Sequence, residues 1–350
     1  MRTPGVDYKV TEVSMAPLRI ALNGFGRIGR NVLRIAWERD DITIVHVNDL
    51  TSPEMLAYLL SHDTVHGSWG DDIRAVDGGI DIDGTVIPVS MERDPANLPW
   101  AELDVDVVLE CTGVFTDGNK ARAHIDAGAR KVIISAPGNN VDATIVVGVN
   151  DHELDTSTMH IISNASCTTN CLSPVVKVIG DTVGLEFGLI TTVHSYTMDQ
   201  NLLDAPHRKG KFRRARAAAA NIVPTSTGAA KAIAHVLPQF EGKLNGMAIR
   251  VPTPNVSIVD LVFTASRDTS VEELNNAFIA AAQSGPLAGV LTTSTDHLVS
   301  SDLVGNPYSS IVDLQLTQVI GGRLVKVLTW YDNEWGFSNR MIDLALLAGG

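Results

Sequence analysis

Apolar residues along this chain come in short runs of two kinds, and their alternation predicts the architecture. Residues 18–22, LRIAL, are aliphatic and strand-like, while Val32, Leu33, Ile35 and Ala36 carry helical spacing. Between them lies Gly24-Phe25-Gly26-Arg27-Ile28-Gly29. The first glycine of such a pattern suits a tight turn, the second lets backbone approach a pyrophosphate, and the third lets the helix pack close to its strand. Strand-like runs follow at 42–47, 105–110, 131–135 and 143–147, with a helical stretch at 120–127. This alternation predicts a Rossmann-type, doubly wound parallel sheet of α/β class. The strand at 42–47 leads into Asn48-Asp49, with Asp49 placed 20 residues past Gly29. An acidic side chain there accepts hydrogen bonds from an adenosine ribose and repels a 2′-phosphate. The loop Cys111-Thr112-Gly113 follows another strand end, where ligands sit in such sheets. Cys111 itself reads as packing.

The second half alternates differently. Strand-like runs at 189–193, 248–251, 257–266, 310–313 and 324–331 crowd together, with helical patterns at 229–236 and 271–284. They predict an α+β domain built on a largely antiparallel sheet. Residues 324–331 are nearly continuously apolar and are expected to form a strand buried on both faces. The expected division is a disordered extension at 1–17, a dinucleotide domain at 18–166 completed by a returning helix at 333–350, and a catalytic domain at 167–332.

Composition narrows the functional classes. A chain of 350 residues is long for one core, and 45% hydrophobic with 19% charged residues is ordinary for a globular protein. A net charge of -13 argues against nucleic acid or an anionic membrane surface as the main partner, though not against a small anion in a local cationic pocket. The longest apolar runs are strand-sized, too short to span a bilayer. Three cysteines make no disulfide framework, and the opening MRTPGVDYKVTEVSMAP lacks the layout of a secretory signal. A reducing, cytoplasmic setting is expected.

The stretch NASCTTNC, residues 164–171, carries the chemistry. Residues 161–163 look like a strand end, and Leu172, Val175, Val176 and Ile179 have helical spacing. Cys167 therefore starts a helix, where unpaired amides favour a thiolate, and Cys171 lies one turn inside. Two cysteines on one helix supply too few ligands for zinc, and His194 is the only nearby candidate to join them. A disulfide within one rigid turn is disfavoured. One working thiol with a buried companion is the preferred reading, and no metal is expected. A thiol nucleophile needs a base. His194 closes the strand-like run at 189–193, but a strand-end histidine is by itself more often packing than chemistry.

At this point NGFGRIGR, ASCTTNC, TTVHSYT, RRARAAA, PTSTGAAK, RVPTPNVS and WYDNEWGF together make the chain resemble the phosphorylating glyceraldehyde-3-phosphate dehydrogenases, from about Leu18 to the C-terminus. The resemblance implies oxidation of D-glyceraldehyde 3-phosphate to 1,3-bisphosphoglycerate with NAD and inorganic phosphate. Cys167 would form a hemithioacetal and then a thioester, with His194 as base. It further implies substrate-phosphate contacts by Thr197, Asp199, Arg214 and Arg250, and contacts to the attacking phosphate by Ser166, Thr168, Thr227 and Gly228. Arginine forks and clustered hydroxyls suit phosphate on physical grounds. For NAD it adds Arg27 and Ile28 at the pyrophosphate, Asp49 at the ribose, Arg93 and Thr112 near the adenosine, and Asn333 at the carboxamide, beside Gly24, Gly26 and Gly29 of the turn. Leu50 and Pro206 favour NAD over NADP, and a cytoplasmic homotetramer is implied. HRKGKFRRARA departs from the family pattern by two extra residues in a loop that, in relatives, lies at a subunit interface, and Phe337 replaces a commoner tyrosine. The competing readings are erythrose-4-phosphate dehydrogenase, a non-catalytic paralogue and an inhibitor-tolerant duplicate. HSYT and STGAAK favour the acyl-phosphate-forming enzymes.

Overall fold

The computed structural model describes residues 16–70 and 72–350, so the expectation for the leading extension lies almost wholly outside the described residues. The first unit begins with β1 (Leu18–Asn23), α1 (Arg27–Trp37), β2 (Ile42–Asn48) and α2 (Pro53–Ser61). A small meander follows: β3 (Ile73–Val76), β4 (Gly79–Ile82) and β5 (Thr85–Ser90). Then come β6 (Val107–Glu110), α3 (Gly118–Asp126), β7 (Lys131–Ile134), β8 (Ala143–Thr144) and β9 (Ile161–Ser163). These nine strands form one sheet in the order β3-β4-β5-β2-β1-β6-β7-β9-β8. From β5 to β8 every pairing is parallel, as the alternation predicts. The meander adds two antiparallel pairings that the sequence reading did not anticipate. The run at 143–147 is strand only at its first two residues, because Ile145 onward turns inward to pack, and Asn150 Oδ1 accepts the Val146 amide at 2.8 Å.

The helix α4 (Cys167–Thr182) links the two units. Beyond it lie β10 (Leu185–Ser195), β11 (Val223–Ser226), α5 (Ala229–Val236), β12 (Leu244–Val251), β13 (Ser257–Ala265), α6 (Val271–Gln283), β14 (Leu291–Ser294), β15 (Ser310–Asp313), β16 (Gln318–Ile320) and β17 (Leu324–Tyr331). Their order is β11-β12-β10-β13-β17-β15-β14, with β16 on β17. Only β10–β12 and β14–β15 pair in parallel, so the sheet is largely antiparallel. The expectation of a doubly buried strand at 324–331 is corrected. Val325, Val327, Thr329 and Tyr331 face the core, while the residues between them are half-buried or exposed on the other face. That outer face also carries Phe187 and Leu189, both more than 60% exposed. One-sided covering by α4, α5 and α6 explains the alternation.

The last helix, α7 (Trp335–Gly349), returns to the first unit. Met341, Ile342, Leu344, Ala345 and Ala348 join the core of Ile20, Leu22, Val32 and Leu33. Cys167 packs against the cores of both units, which sets the start of α4 at their junction. Among the described residues, no helix is long and apolar enough to cross a membrane.

Candidate active site

The thiol is placed by a strained turn. Ala165 adopts φ +56°, a left-handed conformation costly for a residue with a Cβ. Asn170 offsets that cost by donating Nδ2 to the carbonyls of Asn164 at 2.8 Å and Ser166 at 3.1 Å, on either side of the strained residue. Ser166 caps α4, its hydroxyl accepting the Thr169 amide at 3.1 Å, so Cys167 is the first helical residue. Cys171 is fully buried one turn on, against Ser310 and Thr329. All three cysteines are free.

Cys167 Sγ lies 3.6 Å from His194 Nε2. His194 sits near the end of β10, and its Nδ1 lies 2.6 Å from the Ser195 carbonyl. Nδ1 faces this acceptor and, at 3.0 Å, the donor Arg250 Nη1; with the Nδ1 proton directed to the closer carbonyl, Nε2 turns its lone pair to the thiol. Arg250, paired with His194 across β10 and β12, donates Nη1 to the same carbonyl at 2.9 Å. Burial and the adjacent guanidinium push His194 down to about 3, so the imidazole is neutral and ready to accept a proton. Burial also pushes the Cys167 thiol up, outweighing Arg250 and the hydrogen bonds at the start of α4. Burial at this junction thus opposes the thiolate that the start of α4 and Arg250 favour, and the sulfur has His194 Nε2 as its nearest proton acceptor.

Two residues missed in the sequence stabilise this pair. Tyr331, buried at the end of β17, places its hydroxyl 2.9 Å from both Thr168 Oγ1 and Thr192 Oγ1, joining α4 to β10, with its ring edge-on to His194. Val256, at φ +67°, aims its carbonyl at the Ser195 hydroxyl, which donates at 2.7 Å. The only signal for Tyr331 was its place in WYDNEWGF, and nothing local in NVS announces a left-handed valine.

A cationic pocket adjoins the thiol. Arg250 Nη1 reaches Thr197 Oγ1 at 3.3 Å, and its Nε is buried without a partner. Arg214 donates Nε to Thr225 Oγ1 at 3.0 Å and Nη2 to the Ser226 carbonyl at 3.1 Å, and it pairs with Asp199. It lies close enough that its charge, after burial, depresses Arg250, and it also contributes to the low value of His194. Crowded cations with an unpartnered buried N–H suit an anion. Thr227 Oγ1 accepts the Ala229 amide at 3.2 Å, and Gly228, the cap of α5, has open space where a Cβ would stand. The Thr168 hydroxyl lies 2.9 Å from that of Tyr331 in a buried position.

At the carboxyl ends of β1, β2 and β6 the residues fit a dinucleotide. Gly24 has φ +95°, and a Cβ there would fall 2.7 Å from the Thr112 amide. A Cβ on Gly29 would fall 2.3 Å from the Gly24 carbonyl, whereas one on Gly26 would meet no atom within 4 Å. The first turn of α1 has no side-chain cap and no acidic residue, leaving the amides near Arg27 and Ile28 for an anion. Asp49 accepts the Phe25 amide at 2.7 Å and the Thr51 amide at 3.0 Å, which fixes its carboxylate beside the turn. Thr112 and the exposed Arg93 follow β6 and β5 at the same edge. Thr112 is anchored by a buried network the sequence did not reveal: Glu110 accepts its amide at 2.8 Å and also bonds Asn23 and His124. Asn333 lends its carboxamide oxygen to Ser257 at 2.8 Å. The Arg27 guanidinium is engaged by Asp63 and Glu334, which leaves its backbone amide as the group at the turn.

Comparison with known proteins agrees with this geometry. Residues 18–118 match the NAD-binding domain model of glyceraldehyde 3-phosphate dehydrogenase, and residues 166–333 match that family's C-terminal domain. A glyceraldehyde-3-phosphate dehydrogenase of Kitasatospora aureofaciens is 59% identical over 332 residues, covering 94% of this chain and 99% of the relative. Glyceraldehyde-3-phosphate dehydrogenase 1 of Streptomyces avermitilis is 54% identical over 95% of this chain and 98% of its own length. Glyceraldehyde-3-phosphate dehydrogenase 1 of Bacillus subtilis is 53% identical, over 94% and 97%.

Proposed function

Because this chain belongs to the glyceraldehyde-3-phosphate dehydrogenase family and is thereby an NAD-dependent oxidoreductase, we propose that it makes an acyl phosphate from D-glyceraldehyde 3-phosphate through a covalent Cys167 intermediate. The observation that carries the reading is the Cys167–His194 pair beside Arg250, whose buried Nε lacks a partner. In this reading Cys167 Sγ adds to the aldehyde carbon, and its proton passes to the carbonyl oxygen, giving a hemithioacetal. His194 Nε2 then takes the hydroxyl proton as the carbon loses its hydrogen with two electrons, leaving a thioester on Cys167. Bound NAD supplies the acceptor for that hydride. Inorganic phosphate attacks the thioester carbonyl, the carbon–sulfur bond breaks, and the departing thiolate takes back the proton held on His194 as the acyl phosphate leaves. The thioester keeps the acyl group reactive enough for transfer to phosphate.

Arg250, Thr197, Arg214 and Asp199 form the substrate-phosphate site in this proposal, and Ser166, Thr227 and Gly228 receive the attacking phosphate. Asp49 binds the adenosine ribose, Arg93 and Thr112 flank the adenosine, and the amides of Arg27 and Ile28 receive the pyrophosphate across Gly26. Asn333, with its oxygen held by Ser257, directs its NH₂ to the nicotinamide carboxamide. The test is NADH formation with and without inorganic phosphate. Strong phosphate dependence is expected, and oxidation indifferent to phosphate or faster with erythrose 4-phosphate would move the assignment to that relative's chemistry.

The electrostatics give a second expectation. Arg250 pulls the Cys167 thiol down against the larger effect of burial. In Arg250→Gln that pull is gone, so the pH at which iodoacetamide alkylates Cys167 half-maximally should move upward, without any substrate present. A downward or absent shift would remove Arg250 from the electrostatic account.

Self-association into a homotetramer is part of the same proposal. Exposed Met198, Leu202, Leu203, Phe212 and Ile222 neighbour the cationic loop, and Phe187 and Leu189 stand on the outer sheet face. Apolar surface on this scale favours a second copy. A monomeric mass in solution would count against it.

A further inference from the structure

Arg27 follows Gly26 in the dinucleotide turn, where a guanidinium would ordinarily be read as a phosphate ligand. Its geometry says otherwise. Nε lies 3.0 Å from both Glu334 carboxylate oxygens, Nη2 lies 2.5 Å from Oε2, and Nη1 is held by Asp63. Two carboxylates thus take up the charge and the fork of this guanidinium, while Arg30 and Arg34 share the same field. Both acids are shielded, Asp63 almost completely. Burial would raise Asp63, but the bonds from Arg27 and the amides of His66 and Val65 outweigh it and hold the carboxyl at about 2.

The far side of the cluster is equally fixed. Glu334 Oε2 also meets His66 Nε2 at 3.2 Å, and the His66 ring packs on Trp335. Asp332 Oδ1 accepts the amides of Glu334 at 2.9 Å and Trp335 at 2.7 Å, and its Oδ2 accepts Gly305 at 2.8 Å. Asn333 therefore stands between two anchored neighbours, one of which, Glu334, is bonded across the fold to Arg27, the residue after Gly26 in the glycine turn.

We propose that Arg27, Glu334 and Asp63 form a strut between the dinucleotide turn and Asn333, so that Arg27 is a positioning residue for the nicotinamide end of the site. This rests on the reading that Asn333 meets the carboxamide. The strut sets where α7 begins relative to α1, and so where the Asn333 side chain stands when the pyrophosphate occupies the turn.

A phosphate-ligand role and a strut role predict opposite signs for Glu334. If Glu334 merely restrained a phosphate-binding arginine, Glu334→Gln would free the guanidinium and tighten binding of both NAD and ADP-ribose, which lacks the nicotinamide. For a strut, Arg27→Gln and Glu334→Gln should each lower kcat/KM for NAD by about tenfold or more, part of it in kcat. The inhibition constant of ADP-ribose should stay within about twofold, and the double variant should be no worse than either single one. Arg27→Lys, which keeps the charge but loses the fork, should show a smaller change in the same direction, and it supplies the test if the glutamine variants do not fold. Asn333→Ala separates the two layers. If it leaves NAD kinetics unchanged, the nicotinamide reading fails and takes the proposal with it. If it is damaging while Glu334→Gln is silent or tightens ADP-ribose, or if Arg27→Gln or Arg27→Lys weakens ADP-ribose as much as NAD, the strut alone is overturned.

Discussion

Cys167→Ser is expected to lower phosphate-dependent NADH formation by more than about 10³-fold while leaving NAD binding unchanged. A serine hydroxyl fits where the thiol sits, so α4 and its Ser166 cap should be undisturbed. What is lost is chemical. The hydroxyl gives up its proton far less readily, and the resulting ester is a poorer acyl donor to phosphate than a thioester. His194 is neutral in the folded protein, pushed down to about 3 by burial and by Arg250, and so it is available as a base through the neutral range. Removing it in His194→Asn should cost about 10²–10⁴-fold. The double variant should be little worse than Cys167→Ser alone, since the two act on one proton. Steady-state rates at saturating substrates, with NAD binding followed by fluorescence, separate these outcomes from misfolding. Retention of more than a few per cent of activity by Cys167→Ser would transfer the chemistry to another group.

The second large effect concerns two glycines three residues apart. Gly29→Ala sets a Cβ 2.3 Å from the Gly24 carbonyl oxygen, a backbone atom that cannot turn aside. The helix α1 must retreat from β1, taking Val32 and Leu33 partly out of the core they share with Ile20 and Met341. A loss of about 1–3 kcal/mol is expected, read as a lower denaturation midpoint, with weaker NAD binding besides. Gly26→Ala should behave in the opposite way. Its Cβ meets no protein atom within 4 Å and its φ of -73° suits any residue, so stability should hold within about 0.5 kcal/mol. Affinity for NAD should nevertheless fall, because the new methyl fills the space a pyrophosphate needs. If Gly26→Ala bound NAD normally, the pyrophosphate would lie elsewhere.

Much of this was legible in the chain itself. The glycine turn declared β1 and α1, and the position of Asp49 followed from strand length. Cys167 at a helix start followed from the periodicity of Leu172, Val175, Val176 and Ile179. What could not be read depended on pairing between distant segments. Nothing in residues 324–331 alone showed that the outer face of β17 would stay uncovered. The meander of β3 to β5 consists of short strands whose partners are set by turns rather than by apolar periodicity. The pull of the helix terminus on Cys167 is visible in sequence, whereas the opposing desolvation is a property of the assembled junction. Arg27 shows the same limit: its motif says phosphate, and only the fold shows that residues 63 and 334 converge on it.

The most direct test of the covalent relay is a single turnover without phosphate. Wild-type protein mixed with D-glyceraldehyde 3-phosphate and NAD, then quenched in acid, should release at most one NADH per chain in a rapid burst. Intact-mass and peptide analysis should then find an acyl group on Cys167, and added phosphate should discharge it. NADH formed with no adduct on Cys167, or an adduct that phosphate leaves untouched, would contradict the account.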